Sequence, residues 1–226
     1  MTFSLLGRCE RTGRLGMVIS SSSPAVAARC AHARPGVGVA ATQNVTDPRL
    51  GPALLEALAR VGDPQVALDE VVSAAPFIEH RQLLVLGVSG AAAAYSGAET
   101  LGTHNHRTGD GCAAAGNLLA GEDVVPAMIE AFERGARGAD LDLGERLVAA
   151  LRAGLDAGGE AGPVHSAGLL MIGNVAWPVA DLRVDWHEEP VHELDRVWQV
   201  YRPQLEDYVT RALDPSAAPG YGVPGE

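Results

Sequence analysis

Residues 2–22 read TFSLLGRCERTGRLGMVISSS and predict two strands joined by a tight turn. Apolar side chains alternate with small or polar ones on both sides of residues 10–13, and this pattern is typical of a β-hairpin. The hairpin therefore opens the chain with a strand whose first residue is Thr2.

Along the rest of the chain, predicted strands follow one another in hairpins and predicted helices follow one another in pairs. Strands that come in hairpins and helices that come in pairs favour antiparallel sheets over βαβ crossover units. Two such sheets with helix pairs outside them make a four-layer αββα sandwich, an α+β fold. The segment 24–35 is expected to be a loop or short helix, and 99–110 a polar loop. Further strands are predicted at 36–43, 82–88, 91–96, 111–118, 165–173 and 178–186, and helices at 51–61, 64–74, 122–136, 142–157 and 189–211.

The composition indicates how many domains the chain has and which classes of partner it disfavours. We expect one domain over residues 1–213 and a disordered tail over 214–226, which is rich in Pro, Gly and Ala. The net charge of −11 disfavours nucleic acid as a partner. The start of the chain lacks a signal peptide and no apolar run is long enough to span a membrane, so a cytoplasmic protein with reduced cysteines is expected.

All 17 basic residues are arginine and none is lysine. A Schiff-base lysine, a pyridoxal-phosphate enzyme, a Ser-Lys dyad and a P-loop are thereby excluded. The sequence calls for no cofactor.

Several blocks of sequence are similar to one known family. Their most specific part is Thr108-Gly109-Asp110-Gly111 followed by Gly116-Asn117-Leu118. The other matching blocks are residues 2–8, 36–43, 80–83, 106–111, 116–121 and 181–185. Together they resemble the bacterial and archaeal family called domain of unknown function 1028, from Thr2 to about Arg202. The resemblance implies the Ntn-hydrolase-like fold, in agreement with the αββα order, and says little about the activity.

Thr2 is the candidate catalytic nucleophile. In an N-terminal-nucleophile hydrolase the first residue of a strand attacks an amide carbonyl while its own α-amine accepts the proton. Methionine aminopeptidase removes Met1 before a small residue such as threonine. An α-amine titrates at about 7.7–8.0, near neutral pH. The expected function is therefore an amidohydrolase that cleaves the C–N bond of a small non-peptide molecule.

Further polar residues are candidates for binding substrate or an oxyanion. Pairing of Cys9 with Arg14 across the first turn would place Ser21 opposite Thr2. Asn117 lies in a Gly-Asn turn and could donate a side-chain N–H to a carbonyl. An arginine could clamp a carboxylate, which makes a carboxylate-bearing substrate a further expectation. The remaining candidates end or begin strands or lie in the glycine-containing segment 106–111: Thr42, Gln43, Arg81, Gln82, Arg107 and Asp110.

Two alternatives remain open. His104 and His106 have the spacing of some metal sites, but no supporting ligands are evident and no metal is expected. A non-catalytic ligand-binding or assembly protein on the same fold is the second alternative, and the missing lysine favours it because proteasome-type relatives tune their threonine with one.

The predicted last helix, 189–211, carries an apolar and aromatic stripe along one face. We expect part of the stripe to cover a sheet, and Trp198 and Tyr208 to stay partly exposed as interface aromatics do. The sequence therefore predicts a homodimer or higher homo-oligomer.

Overall fold

The chain folds into two antiparallel β-sheets packed face to face, with a helix pair on each outer side. The structure is a computed structural model, which describes residues 1–138 and 141–223. In chain order the strands are β1 (Thr2–Arg8), β2 (Leu15–Ser21), β3 (Ala31–Arg34), β4 (Gly38–Asn44), β5 (Arg81–Gly87), β6 (Ala92–Ser96), β7 (Asn105–Gly109), β8 (Cys112–Asn117), β9 (Ser166–Ile172) and β10 (Pro178–Val184). The helices are α1 (Val26–Cys30), α2 (Leu50–Val61), α3 (Pro64–Ala74), α4 (Val124–Gly138), α5 (Leu143–Asp156), α6 (Pro190–Tyr201) and α7 (Leu205–Leu213).

The order of the strands confirms the predicted α+β sandwich. Six strands form one sheet in the order β10-β9-β2-β1-β8-β7, and four form the other in the order β3-β4-β5-β6. Every neighbouring pair is antiparallel. Strand β1 lies inside the larger sheet, between β2 and β8, so both of its edges are hydrogen-bonded.

Side chains of β1 divide between two apolar layers because successive residues of a strand point to opposite faces. Phe3 and Leu5 pack in the core shared with α4 and α5, whereas Leu6 packs in the core between the two sheets. Thr2 and Ser4 have the same parity as Leu6. Two polar residues are thereby directed into the layer between the sheets, at the end where β1 begins.

The helices form where local sequence signals agree with their apolar faces. Helix α3 begins at Pro64, and the Asp63 side chain accepts hydrogen bonds from the N–H groups of Gln65 and Val66, as the Asp-Pro pair predicts. Helix α5 begins with a capping box in which Asp142 and Glu145 exchange hydrogen bonds.

Two edge strands lie in segments for which the sequence predicted loops or a short helix. The segment 24–35 contains α1 followed by β3, and the expected loop at 99–110 contains β7. Both strands contain polar residues and lie at the edges of their sheets, so that each has a neighbouring strand on one side only. Their sequences therefore lack the apolar alternation that identifies a half-buried strand.

The predicted single helix at 189–211 is also wrong, because it consists of two helices. A 3₁₀ turn over Arg202–Gln204 separates α6 from α7. Pro203 lies in this turn and cannot donate the backbone hydrogen bond that a continuous helix needs. Trp198, which we expected to be partly exposed, is fully buried against the sheet.

The predicted tail has no regular secondary structure where the structure describes it. Residues 214–223 contain turns but neither helix nor strand, and the last three residues of the predicted tail lie outside the described residues. Among the described residues, every helix is too short or too polar to span a bilayer.

Candidate functional site

Thr2 and Ser21 face each other at the open end of the β1–β2 hairpin, as predicted. The backbone N–H of Cys9 donates to the carbonyl of Arg14 over 2.9 Å, and Phe3 pairs with Ser20. The same register places Thr2 opposite Ser21, and their hydroxyl oxygens are 3.4 Å apart.

Both hydroxyls converge on one carbonyl oxygen, that of Met1. The Thr2 hydroxyl donates to it, and the Ser21 hydroxyl donates to it over 2.5 Å. Only 5 % of Thr2 is exposed. A carbonyl in this position thus meets a nucleophile-type oxygen and a second hydroxyl donor, which is the pairing that acyl transfer requires.

The residues at this level of the four inner strands of the larger sheet are all polar. Asn117 on β8 is the register partner of Thr2, and Ser166 on β9 is the partner of Ser21. Directly opposed residues of antiparallel strands share a face. Four polar side chains therefore line the same edge of the layer between the sheets.

Gln82, on the facing sheet, has an orientation that its backbone partners determine. Its side-chain nitrogen donates to the carbonyl of Gly116 over 3.0 Å and to that of Asn105 over 3.2 Å. A carbonyl only accepts hydrogen bonds, so this end of the side chain must be the NH₂ group. The Gln82 carbonyl oxygen consequently faces the other way, toward Gln43 and Asn117.

That orientation determines the two neighbouring amides. Gln43 donates its NH₂ to the Gln82 carbonyl oxygen over 2.7 Å, and Asn117 donates to the same oxygen over 3.2 Å. The oxygen of Gln43 is then free to accept the Ser4 hydroxyl, which lies at 2.6 Å. The oxygen of Asn117 is buried and has no hydrogen-bond partner in the described chain. Asn117 therefore donates one side-chain N–H to Gln82 and also offers an unused acceptor at this site.

Glu160 lies at the same end of the sheet and was not found by sequence reasoning. Its carboxylate accepts the backbone N–H of Ser22 at 3.1 Å from each oxygen, and the residue is 4 % exposed. Burial raises the pKa of the Glu160 carboxyl to about 7, against the opposing effects of the positive N-terminus and of the Ser22 hydrogen bond. It follows the Gly158-Gly159 pair in a loop, where no periodicity marks a site.

Ser4 and Ser96 were also missed, and His106 was considered as a metal ligand but not as a partner of Ser96. Ser4 has the same parity as Thr2 on β1, which is a signal that the sequence contains. Ser96 joins the network from the edge of the smaller sheet: its hydroxyl lies 2.9 Å from the Gln82 nitrogen and 2.8 Å from His106 Nδ1. These contacts depend on how the two sheets pack, which the sequence does not reveal.

Four of the predicted candidates lie away from this cluster. Thr42 points to the outer face of β4, where its hydroxyl donates to the carbonyl of Asp47 over 3.3 Å. Arg81 donates to the carbonyl of Val45 on the outer side of β5. Arg107 faces away from the layer between the sheets, since its register partner Ala114 packs in the α4–α5 core. Asp110 lies in the β7–β8 turn, at the opposite end of β8 from Asn117.

The two histidines of the possible metal motif do not converge. His104 Nδ1 lies 2.8 Å from the carbonyl of Gly102, whereas His106 Nδ1 lies beside Ser96. No group of three potential metal ligands occurs among residues 1–138 and 141–223.

Comparison with known proteins identifies relatives of the whole domain. The model of a family of unknown function, DUF1028, matches residues 2–194. The crystal structure of protein SPO2555 from Silicibacter pomeroyi, of the same family, is 29 % identical, with a TM-score of 0.81 and 88 % of each chain covered. HslV from Trypanosoma brucei is 12 % identical, with a TM-score of 0.50 over 76 % of this chain and 99 % of its own. This second likeness confirms the Ntn-hydrolase-like fold. Comparison with curated proteins gives no significant match.

Proposed function

Because the chain belongs to the DUF1028 family of unknown function, we propose its activity from its own site: an N-terminal-nucleophile amidohydrolase. Thr2 is the nucleophile after removal of Met1, and the substrate is a small non-peptide molecule with a C–N amide bond. The observation that carries this proposal is the convergence of the Thr2 and Ser21 hydroxyls on one carbonyl oxygen.

The chemistry follows from what loss of Met1 leaves behind. Thr2 becomes the first residue, and its α-amine lies one carbon from the hydroxyl-bearing atom. The amine accepts the hydroxyl proton while Oγ1 attacks the substrate carbonyl, and a new C–O bond forms. Ser21 donates to the oxyanion. The C–N bond then breaks, and the leaving amine takes the proton from the Thr2 ammonium. Water hydrolyses the ester in the same manner.

An acceptor at this end of the sheet indicates the kind of substrate. The Glu160 carboxylate accepts N–H donors, as it does from the backbone of Ser22. Arg81 and Arg107, the arginines expected to bind a carboxylate, lie away from Thr2. A neutral or amine-bearing amide therefore fits this site better than the carboxylate-bearing molecule that the sequence suggested.

The state of residue 1 tests the proposal, and intact mass spectrometry of the purified protein measures it. We expect a mass that lacks Met1. An active preparation in which every chain retains Met1 would exclude the mechanism, because the Thr2 nitrogen would then be an amide. That result would favour the alternative of a ligand-binding protein on the same fold.

We also propose that the protein is cytoplasmic and forms a homodimer or higher homo-oligomer through the region of α6 and α7. Val200, Tyr208 and Leu213 are large apolar side chains that lie exposed along these helices. Tyr208 stacks on Tyr201, with ring centres 5.5 Å apart, and remains 39 % exposed. Aromatic and aliphatic side chains of this kind are enriched in subunit interfaces.

A further inference from the structure

The unpartnered oxygen of Asn117 is the most unusual polar atom of the site. Asn117 is fully buried, and a buried acceptor without a donor costs about 1–3 kcal/mol. Rotation of the amide would not relieve it, because the NH₂ group would then leave Gln82 and bring two oxygens together. The oxygen therefore lacks a donor in the unprocessed chain.

The backbone nitrogen of Thr2 lies beside this residue. Arg8 donates its backbone N–H to the carbonyl of Gly111 over 2.9 Å, which makes these two residues a hydrogen-bonded pair of the β1–β8 ladder. Hydrogen-bonded pairs recur at every second residue of antiparallel strands. Thr2 and Asn117, six residues further along each strand, are therefore such a pair, and the Thr2 nitrogen points at Asn117.

We propose that Asn117 is the residue that positions the α-amine of Thr2, an inference that rests on the proposed function. Once Met1 is removed, this nitrogen carries additional N–H bonds. The backbone carbonyl of Asn117 accepts one N–H and its side-chain oxygen accepts another. The lone pair of the neutral amine is then directed toward the Thr2 hydroxyl, whose proton it must accept.

An amide oxygen can position the α-amine without a negative charge that would hold the amine in its ammonium form. A hydrogen bond to an ionised donor is about twice as strong as one between neutral groups. The acceptor therefore stabilises the ammonium form, yet by less than an adjacent carboxylate would. Glu160 and Cys30 are titratable side chains that interact with the N-terminus, and the charge of an ionised Glu160 acts in the same direction as Asn117.

The chain itself offers a direct test, since it contains no lysine. In a protein whose first residue is Thr2, the α-amine is the only primary amine. The rate at which acetic anhydride acetylates this amine, followed against pH on the N-terminal peptide, gives the midpoint at which the amine loses its proton. A fusion cleaved immediately before Thr2 supplies the protein independently of processing in the cell.

Asn117→Ala should move that midpoint to lower pH by about half a unit or more, because the ammonium loses an acceptor. Asn105→Ala is the matched control. The Asn105 side-chain oxygen is also buried without a partner, but the residue pairs with Gly116 and faces the other side of the sheet. Its midpoint should equal that of the unsubstituted protein.

An unchanged midpoint in Asn117→Ala, with cooperative thermal unfolding retained, would overturn the proposal. If that variant does not fold, Asn117→Ser, whose shorter side chain cannot reach the same position, decides the matter by the same measurement. The outcome is separate from the proposed function. A protein that fails to form an ester at Thr2 refutes the hydrolase, whereas the amine midpoint alone tests the role of Asn117.

Discussion

The hydroxyl of Thr2 lies 3.4 Å from that of Ser21 across the central strand pair, and both point at the carbonyl of Met1. A substrate carbonyl in the same place would receive the Ser21 hydroxyl as its oxyanion develops. Ser21→Ala should therefore lower the rate of acylation at Thr2 by about 100-fold. The rate can be followed as covalent labelling by a β-lactone.

Ser20→Ala is the matched control for that experiment. Ser20 is equally buried and precedes Ser21 on β2, but its hydroxyl donates to the carbonyl of Ser166 over 3.0 Å on the other face. It should retain the full labelling rate. Equal losses in the two variants would mean that Ser21 acts only through the packing of the strand.

Glu160 predicts a particular pH dependence of stability. A carboxyl whose pKa is about 7 in the folded protein and about 4.3 in the unfolded chain binds more protons when folded between these values. Stability contributed by the protonated group is therefore fully present below about pH 4 and is lost as the pH rises to about 7. The loss should be a few kcal/mol, because one pKa unit corresponds to about 1.4 kcal/mol.

Glu160→Gln should remove the pH-dependent part of the stability that Glu160 causes. The Tm of the variant should therefore exceed that of the unsubstituted protein at pH 8 but not at pH 4.5. Differential scanning calorimetry at both pH values measures it. Glu188→Gln removes one exposed carboxylate and gives the same change in net charge. If the two variants respond alike, general charge repulsion and not Glu160 explains the effect.

The amide network should contribute strongly to stability through Gln82. Gln82→Leu leaves the NH₂ groups of Gln43 and Asn117 without their shared acceptor. The cost should be about 2–4 kcal/mol in the free energy of unfolding, measured by urea denaturation. The same substitution at Gln65, an exposed residue of α3, should change it by less than about 0.5 kcal/mol. A loss at Gln82 no larger than that at Gln65 would contradict the network.

The exposed apolar residues of α6 and α7 predict self-association. Static light scattering at micromolar concentration should give at least twice the 23.4 kDa mass of one chain. Val200→Glu should shift the protein toward the monomer, because it places a charge on the exposed face of α6. A monomeric mass for the unsubstituted protein would refute the assembly.

The parts of the site that the sequence predicted depend on local periodicity. The opposition of Thr2 and Ser21 follows from one turn and the alternation of β1 and β2, and both are visible in residues 2–22. The same alternation places Thr42 outside the layer between the sheets, because its neighbour Gln43 points into that layer. Arg81 is placed outside it in the same way by Gln82. Both members of each adjacent pair were proposed, yet neighbouring residues of a strand point to opposite faces.

The remaining features depend on contacts between segments that are distant in sequence. Gln82 meets Asn117 across the two sheets, and Glu160 reaches Ser22 from the loop after α5. No local pattern specifies which loop lies over the start of β1. Trp198 shows the same dependence: helical periodicity identified its stripe, but only packing against the larger sheet determines that it is buried.

Covalent labelling of Thr2 is the measurement that tests the central claim most directly. Protein that begins at Thr2 is treated with a β-lactone and digested, and the adduct is located by tandem mass spectrometry. The proposed mechanism predicts one adduct per chain, on the Thr2 hydroxyl, which is absent in Thr2→Ala and retained in Thr2→Ser. Labelling that persists unchanged in Thr2→Ala, or no labelling of the folded unsubstituted protein, would contradict the assignment of Thr2 as the nucleophile.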